Sequence, residues 1–339
     1  MPVHSRRKWV LLSLLALACA CALVVGNFIA ARRSAAPSDY ETLRSQYGHG
    51  SRQIVVAGVR VNYRDDGDGP VLVLLHGSFG SLRMFDDVTA ELDDRFRIIR
   101  YDQPPSGLSG AVPEGFALSP EQFLADFLDA LHVDKAALLG TSSGGIIGYR
   151  FAATYPQRTT ALVLSNVPPS APVDNNAARQ RLPLLLRWSI ATCMQSRPWS
   201  RTCWQDFLRA HFERRERVTP ALVDEYFDLN RRPGATQFTS MTAIMKSDAE
   251  VRRFLAAVSA PTLILWGARD PVLPRATAEL LAARVGSDSK RVVYLDDVSH
   301  YPPLEAPHEV AGATREFLEA VPAIRLEQVA RQLAATASR

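Results

Sequence analysis

Cysteine is scarce in this chain: four in 339 residues, at 19, 21, 193 and 203, with no Cys-x-x-Cys pair. A zinc ribbon or a thioredoxin-like redox site is therefore unsupported. Strong charge of one sign is also lacking. The formal charge of +4 sits in the first 38 residues, where Arg6, Arg7, Lys8, Arg32 and Arg33 face no acid; the remaining 34 basic and 35 acidic residues leave the body at −1. Such a body has no electrostatic footprint for nucleic acid. Internal repeats are absent, and Gly and Pro are near ordinary usage, which sets fibrous and disordered classes aside.

What the N-terminus does have is a run without charge, Trp9 to Ala31, flanked by basic residues at both ends. Its 23 residues suffice to span about 30 Å of hydrocarbon as a helix. The expectation is a signal anchor with its Arg6-Arg7-Lys8 end cytoplasmic. Two other readings stay open: a cleaved signal peptide using a small-residue site such as Ala18-Cys19-Ala20, and, more weakly, a lipoprotein modified at Cys19. All three put the catalytic domain outside the cytoplasm, periplasmic or extracellular. In that compartment Cys193 and Cys203 are either disulfide-bonded or two small buried side chains.

After a polar linker at 32–50, two β-rich runs, Gln53–Val56 and Val59–Tyr63, read as a hairpin. Val71–Leu75, Phe96–Tyr101, Ala136–Leu139 and Ala161–Leu164 are apolar strand-like runs that alternate with helical stretches near Met84–Leu92, Pro120–His132 and up to Tyr155. Ser119 and Gln122 form a capping box. The alternation predicts a mostly parallel sheet with helices on both faces. It stops for some 95 residues and resumes at Thr262–Trp266, a helix near Ala276–Arg284, Val292–Leu295 and a helix from about His308. The expected organisation is an α/β core at 51–168 and 258–322, an inserted helical lid at 169–257 and a helical tail at 323–339.

Gly140-Thr141-Ser142-Ser143-Gly144-Gly145 has the form G-x-S-x-G between a strand and a helix. At such a turn the Ser142 hydroxyl projects, and the glycines avoid collision with the neighbouring strand and helix. A serine nucleophile needs a base, and histidine suits neutral pH. Of seven histidines only His76 and His300 directly follow predicted strands. His300 is the expected base, and His76 is read as buried and structural. Asp270 follows the strand ending at Trp266, in a loop stiffened by Pro271 and Pro274, and is the expected carboxylate partner. The end of the preceding strand offers only the uncharged Asn166. The expected oxyanion donors are the backbone N–H groups of Ser143 and of Ser78, with Phe79 second, in the loop His76-Gly77-Ser78-Phe79-Gly80.

Together these residues resemble the α/β-hydrolase superfamily in its lid-bearing, serine-hydrolase branch. The resemblance rests on His76-Gly77, Gly140–Gly145, Trp266–Asp270 and Ser299-His300 followed by Glu305-Ala306-Pro307, in that order. It implies an α/β-hydrolase fold with an eight-stranded, mostly parallel sheet. Tyr101–Ser109 looks like the family's D-x-P-G-x-G-x-S segment, with Pro105 in place of a glycine. Haloalkane dehalogenases and soluble epoxide hydrolases of this fold carry Asp where Ser142 stands, so those activities are disfavoured. The expected function is hydrolysis of an ester-like bond of a small, apolar substrate, with no cofactor or metal. The alternatives are carbon–carbon bond hydrolysis or another reaction of the same three residues (perhydrolase, amidase), and a ligand sensor with residual turnover.

Overall fold

The computed structural model describes residues 3–33, 38–170, 199–232 and 247–337, with isolated positions at 184, 187, 189, 191 and 193. The continuous apolar runs form strands because a strand buried on both faces has no use for alternation. Eight strands form one sheet: β1 (Arg52–Val56), β2 (Val59–Asp66), β3 (Val71–Leu75), β4 (Arg97–Tyr101), β5 (Ala136–Thr141), β6 (Thr159–Ser165), β7 (Thr262–Gly267) and β8 (Lys290–Leu295). Their order is β1-β2-β4-β3-β5-β6-β7-β8. Only β1–β2 and β2–β4 pair antiparallel; the other pairs are parallel. β5 lies in the middle and is buried along its whole length. The turn that follows it is therefore held by the stiffest part of the molecule.

The helices in chain order are α1 (Val3–Arg33), α2 (Tyr40–Tyr47), α3 (Asp86–Leu92), α4 (Pro120–Ala130), α5 (Ser143–Thr154), α6 (Arg201–Ala210), α7 (Pro220–Arg231), α8 (Asp248–Ala257), α9 (Arg275–Arg284), the short α10 (Pro302–Glu305), α11 (Pro307–Ala320) and α12 (Pro322–Ala337). The Ser119–Gln122 capping box forms with both of its hydrogen bonds. Two apolar cores lie on the two faces of the sheet. One is built on α4, α5 and α8, the other on α3, α6 and α11.

Three features differ from the sequence reading. Part of the expected linker is the helix α2, capped by Asp39, whose side chain accepts from the Thr42 N–H at 2.9 Å. Its Leu43 and Tyr47 are buried with Leu108 and Leu229, so α2 bears on α7. Among the described residues no helix is long and apolar enough to cross a membrane. The transmembrane span expected over Trp9–Ala31 is thus not part of the fold established here. The inserted block contains α6, α7 and α8, between β6 and β7. The apolar Leu182–Leu186 stretch and Trp188 lie outside the described residues, apart from an exposed Leu184. Cys193 and Cys203 are disulfide-bonded, which ties position 193 to α6.

Candidate active site

Ser142 stands between the last residue of β5 and the first of α5, with φ 51° and ψ −120°. Few L-residues adopt such angles, and a strained backbone of this kind persists only where its surroundings over-determine it. Here they do. The Ser142 N–H donates to the Ser165 carbonyl at 3.0 Å, and its own carbonyl accepts from Gly145 at 3.0 Å. Gly144 is obligatory at the crossing point: a Cβ there would lie 2.1 Å from the Leu75 carbonyl oxygen and 2.5 Å from that of His76.

His300, in the loop after β8, and Asp270, in the loop after β7, converge on this serine. His300 Nε2 is 3.2 Å from Ser142 Oγ. His300 Nδ1 is 2.7 Å from Asp270 Oδ2. All three side chains are buried. Parallel strands joined by crossovers carry their C-terminal ends to one edge of the sheet, which is why residues 158 apart in sequence meet there. The remaining lone pairs of Asp270 are filled. Its Oδ1 accepts the N–H groups of Val272 (2.6 Å) and Leu273 (3.0 Å), and its Oδ2 accepts from the Asn166 amide (2.6 Å). Burial alone would raise the Asp270 carboxyl, but His300 and these donors outweigh it and hold its pKa below the usual carboxylate value.

Asn166 does more than its lack of charge suggested. Its Oδ1 also accepts the Gly267 N–H at 2.9 Å, so one side chain fixes both the end of β7 and the Asp270 carboxylate. It takes φ 48°, a left-handed conformation that Asn tolerates better than most residues. Sequence reasoning passed it over because it was sought as an acid.

The loop 76–80 lies against the nucleophile. A Cβ on Gly77 would be 3.3 Å from the Ser142 Cβ, and Ser78 Oγ donates to Ser143 Oγ at 3.0 Å. The Ser143 N–H is the first of α5 and has no intrahelical carbonyl to meet. Phe79 takes φ 66°. His76 is turned away from the chemistry. Its Nε2 accepts the Gln103 N–H at 2.9 Å, which leaves Nδ1 to donate to the Gly77 carbonyl at 2.8 Å. Burial lowers its pKa to about 4, so it is neutral at pH 7 and acts as a brace.

The Tyr101–Ser109 segment braces the same region from beneath. Buried Asp102 accepts the N–H groups of Leu82 (2.7 Å) and Leu108 (2.7 Å) and the Asn62 amide (2.8 Å). Gly107 has φ 54°, and a Cβ on it would fall 2.2 Å from the Asp102 Cγ, so this glycine is needed despite Pro105 beside it. Arg232, just past α7, donates to the Ser109 carbonyl at 2.6 Å and to that of Pro105, joining the segment to the insertion.

Aromatic side chains of the insertion stand over the loop. The Phe79 ring lies 5.6, 5.4 and 5.5 Å from those of Trp199, Trp204 and Phe207. His211, which the sequence placed in the insertion without a role, has its ring 5.7 Å from that of His300. Tyr301 lies 4.9 Å from His300 on another side. Among the described residues no group of three His, Cys, Asp or Glu side chains could hold a metal ion.

Such a constellation can deprotonate a buried hydroxyl and stabilise the imidazolium that results. Known proteins resemble the chain in sequence and fold. A hydrolase of Pseudomonas aeruginosa PA01 is 31% identical, with a TM-score of 0.63, over 80% of this chain and 99% of that one. The 3-oxoadipate enol-lactonase 2 of Acinetobacter baylyi is 24% identical over 79% of this chain and 98% of its own. A bacterial membrane phospholipase A is similar in fold, with a TM-score of 0.62 at 22% identity, over 94% of this chain and 99% of that one. A family model described as the alpha/beta hydrolase fold matches residues 70–307, most of the chain, and the protein belongs to that family.

Proposed function

We propose that this hydrolase cleaves an ester-like bond of a small, apolar substrate through an acyl-enzyme on Ser142. The observation that carries the reading is the continuous relay from Ser142 Oγ to His300 Nε2 (3.2 Å) and from His300 Nδ1 to Asp270 (2.7 Å), on a strained turn. His300 takes the serine proton as Ser142 Oγ attacks the carbonyl carbon. The oxyanion is held by the N–H groups of Ser143 and Ser78, with Phe79 as the alternative donor. Asp270, kept ionised, stabilises the imidazolium. His300 then protonates the leaving oxygen. It next activates the water that releases the acid, and Ser142 recovers its proton. An ester rather than an amide reading is supported by one relative named an enol-lactonase, since a lactone is a cyclic ester.

The inserted helices act as a lid whose aromatic side chains, Trp199, Trp204 and Phe207 around Phe79, form an apolar wall beside the reacting carbonyl. The N-terminal run anchors the protein: Trp9–Ala31 carries no charge, and its large apolar side chains, among them Trp9, Leu11, Leu15, Leu23 and Val25, stand exposed. The basic residues before it keep that end cytoplasmic and the catalytic domain outside.

The test is labelling with a fluorophosphonate and turnover of p-nitrophenyl esters of increasing chain length. Labelling that disappears in Ser142→Ala supports the reading. Folded wild-type protein that takes no label would sink it. Carbon–carbon bond hydrolysis uses the same side chains, and faster turnover of a ring-fission dienoate than of any ester would replace the ester reading with that one.

A further inference from the structure

Glu305 has no part in the relay, yet it is almost fully buried, at 1% exposure, in the loop system that carries the base. A buried carboxylate is costly unless its oxygens are matched by donors. Its oxygens accept from backbone N–H groups that come from two different parts of the chain. Oε1 accepts the N–H groups of Glu213 and Arg214, each at 2.9 Å, in the turn that follows α6 in the insertion. Oε2 accepts the Ser299 N–H at 3.0 Å, one residue before the base. The next N–H, that of His300 itself, donates to the His211 carbonyl at 3.1 Å, in the same insertion turn. Two consecutive amides of the base loop are thus held by the insertion, one through the Glu305 carboxylate and one directly.

We propose that Glu305 is a positioning residue that clasps the His300 loop to the inserted helices, so that the base is aimed at Ser142 only while the insertion is seated. This rests on the hydrolytic reading of Ser142. The loop 296–301 lies beyond β8; its Val298 carbonyl accepts the Arg269 N–H at 2.9 Å, past the end of β7, and the amides of Ser299 and His300 are held by the contacts above. The insertion that provides them also carries Phe207 and His211, whose rings lie 4.2 Å apart and lead to His300. A substrate pressing on the aromatic wall is therefore felt at the base. Such a coupling acts on turnover rather than on binding. The charged groups around the clasp are Arg214, paired with Glu309 of α11 at 2.7 Å, Arg217 on the insertion side, and Asp297 and His300 in the base loop. Burial pushes the Glu305 carboxyl up, against the three N–H groups and Arg214.

Glu305→Gln keeps the shape but turns one acceptor into a donor, which must face an N–H on one side of the clasp. Activity is measured with p-nitrophenyl butyrate, per active site titrated with a fluorophosphonate. The expected result is a kcat about ten- to a hundredfold lower, the scale of a misplaced catalytic group, with KM within about threefold. The acid limb of kcat/KM should move to lower pH, because losing a negative charge near His300 disfavours the imidazolium. A variant with wild-type kcat per titrated site and an unmoved limb overturns the proposal, whatever its Tm. Should Glu305→Gln not fold, Arg214→Pro against Arg214→Ala decides. Arg214 has φ −78°, which proline accepts, so the pair differs chiefly in one N–H to Oε1. The proline variant should turn over several-fold more slowly, and equal kcat values overturn the proposal. Wild-type protein that takes no label removes both this clasp and the hydrolase reading. Labelling with unaffected variants removes the clasp alone.

Discussion

Asn166→Asp puts the geometry around Asp270 to a sharp test. The backbone is not the obstacle, since Asp tolerates the left-handed φ of 48° nearly as Asn does. One oxygen can still accept the Gly267 N–H, now made at 2.9 Å. The other replaces a donor that lies 2.6 Å from Asp270 Oδ2. Two carboxylate charges about 4 Å apart repel by about 4 kcal/mol at the effective dielectric of a protein site, or roughly three pK units. One carboxyl of the pair should therefore titrate well above the ordinary carboxylate range, as a property of the pair. Below that raised value the shared proton can stand in for the amide hydrogen bond, and activity should stay within about tenfold of wild type. The sign for stability follows from the raised folded pKa. Relative to wild type, the pair costs nothing below the ordinary carboxylate pKa, and about 4 kcal/mol of stability is lost as pH rises through the raised value. Two measurements serve: kcat/KM per titrated site from pH 5 to 9, and urea unfolding across the same range. Wild type should hold its alkaline plateau while the variant turns down. A variant with an unchanged plateau and pH-independent stability relative to wild type would show that Asn166 does not face Asp270 in the working protein.

Other outcomes follow from the same geometry. Gly144→Ala drives a Cβ to 2.1 Å from the Leu75 carbonyl, so it should lose about 1–3 kcal/mol or more of stability and about a hundredfold in kcat. Gly312→Ala is its control: nothing lies within 4 Å of the added carbon in α11, and unfolding should show a gain of about 0.5–1 kcal/mol. His76, buried with a pKa lowered to about 4 from 6.5, contributes stability that is complete above pH 6.5 and lost as pH falls to about 4. That loss is on the order of 3 kcal/mol. It should shrink in His76→Gln, whose amide oxygen can still accept the Gln103 N–H; equal pH slopes in the two proteins would contradict the brace.

Much of the fold was legible because each strand is written as a continuous apolar run bounded by turn residues. The hairpin at Ala57-Gly58, β5 into Ser142, and the ends of β7 and β8 were read within a few residues. The α/β-hydrolase fold itself is shown by the family to which the chain belongs. Ser142, Asp270 and His300 could be singled out because each is a reactive side chain just past an apolar run, and the structure brings the three within hydrogen-bond distance. Residues 40–47 escaped notice because a short polar helix carries little periodic signal; its burial comes from Leu108 and Leu229, far along the chain.

The sequence by itself determined which residues can react and the order in which the strands deliver them, since local patterning sets where a strand ends and a turn begins. Only the tertiary structure decided how those residues are held. Asn166 was weighed as a failed acid and proved to be the amide that fixes Asp270. Glu305 belonged to a recognised stretch without a role, until its carboxylate was found between the base loop and the insertion. Orientation of this kind rests chiefly on hydrogen bonds between segments about 90 to 105 residues apart, and no local pattern in the chain records them.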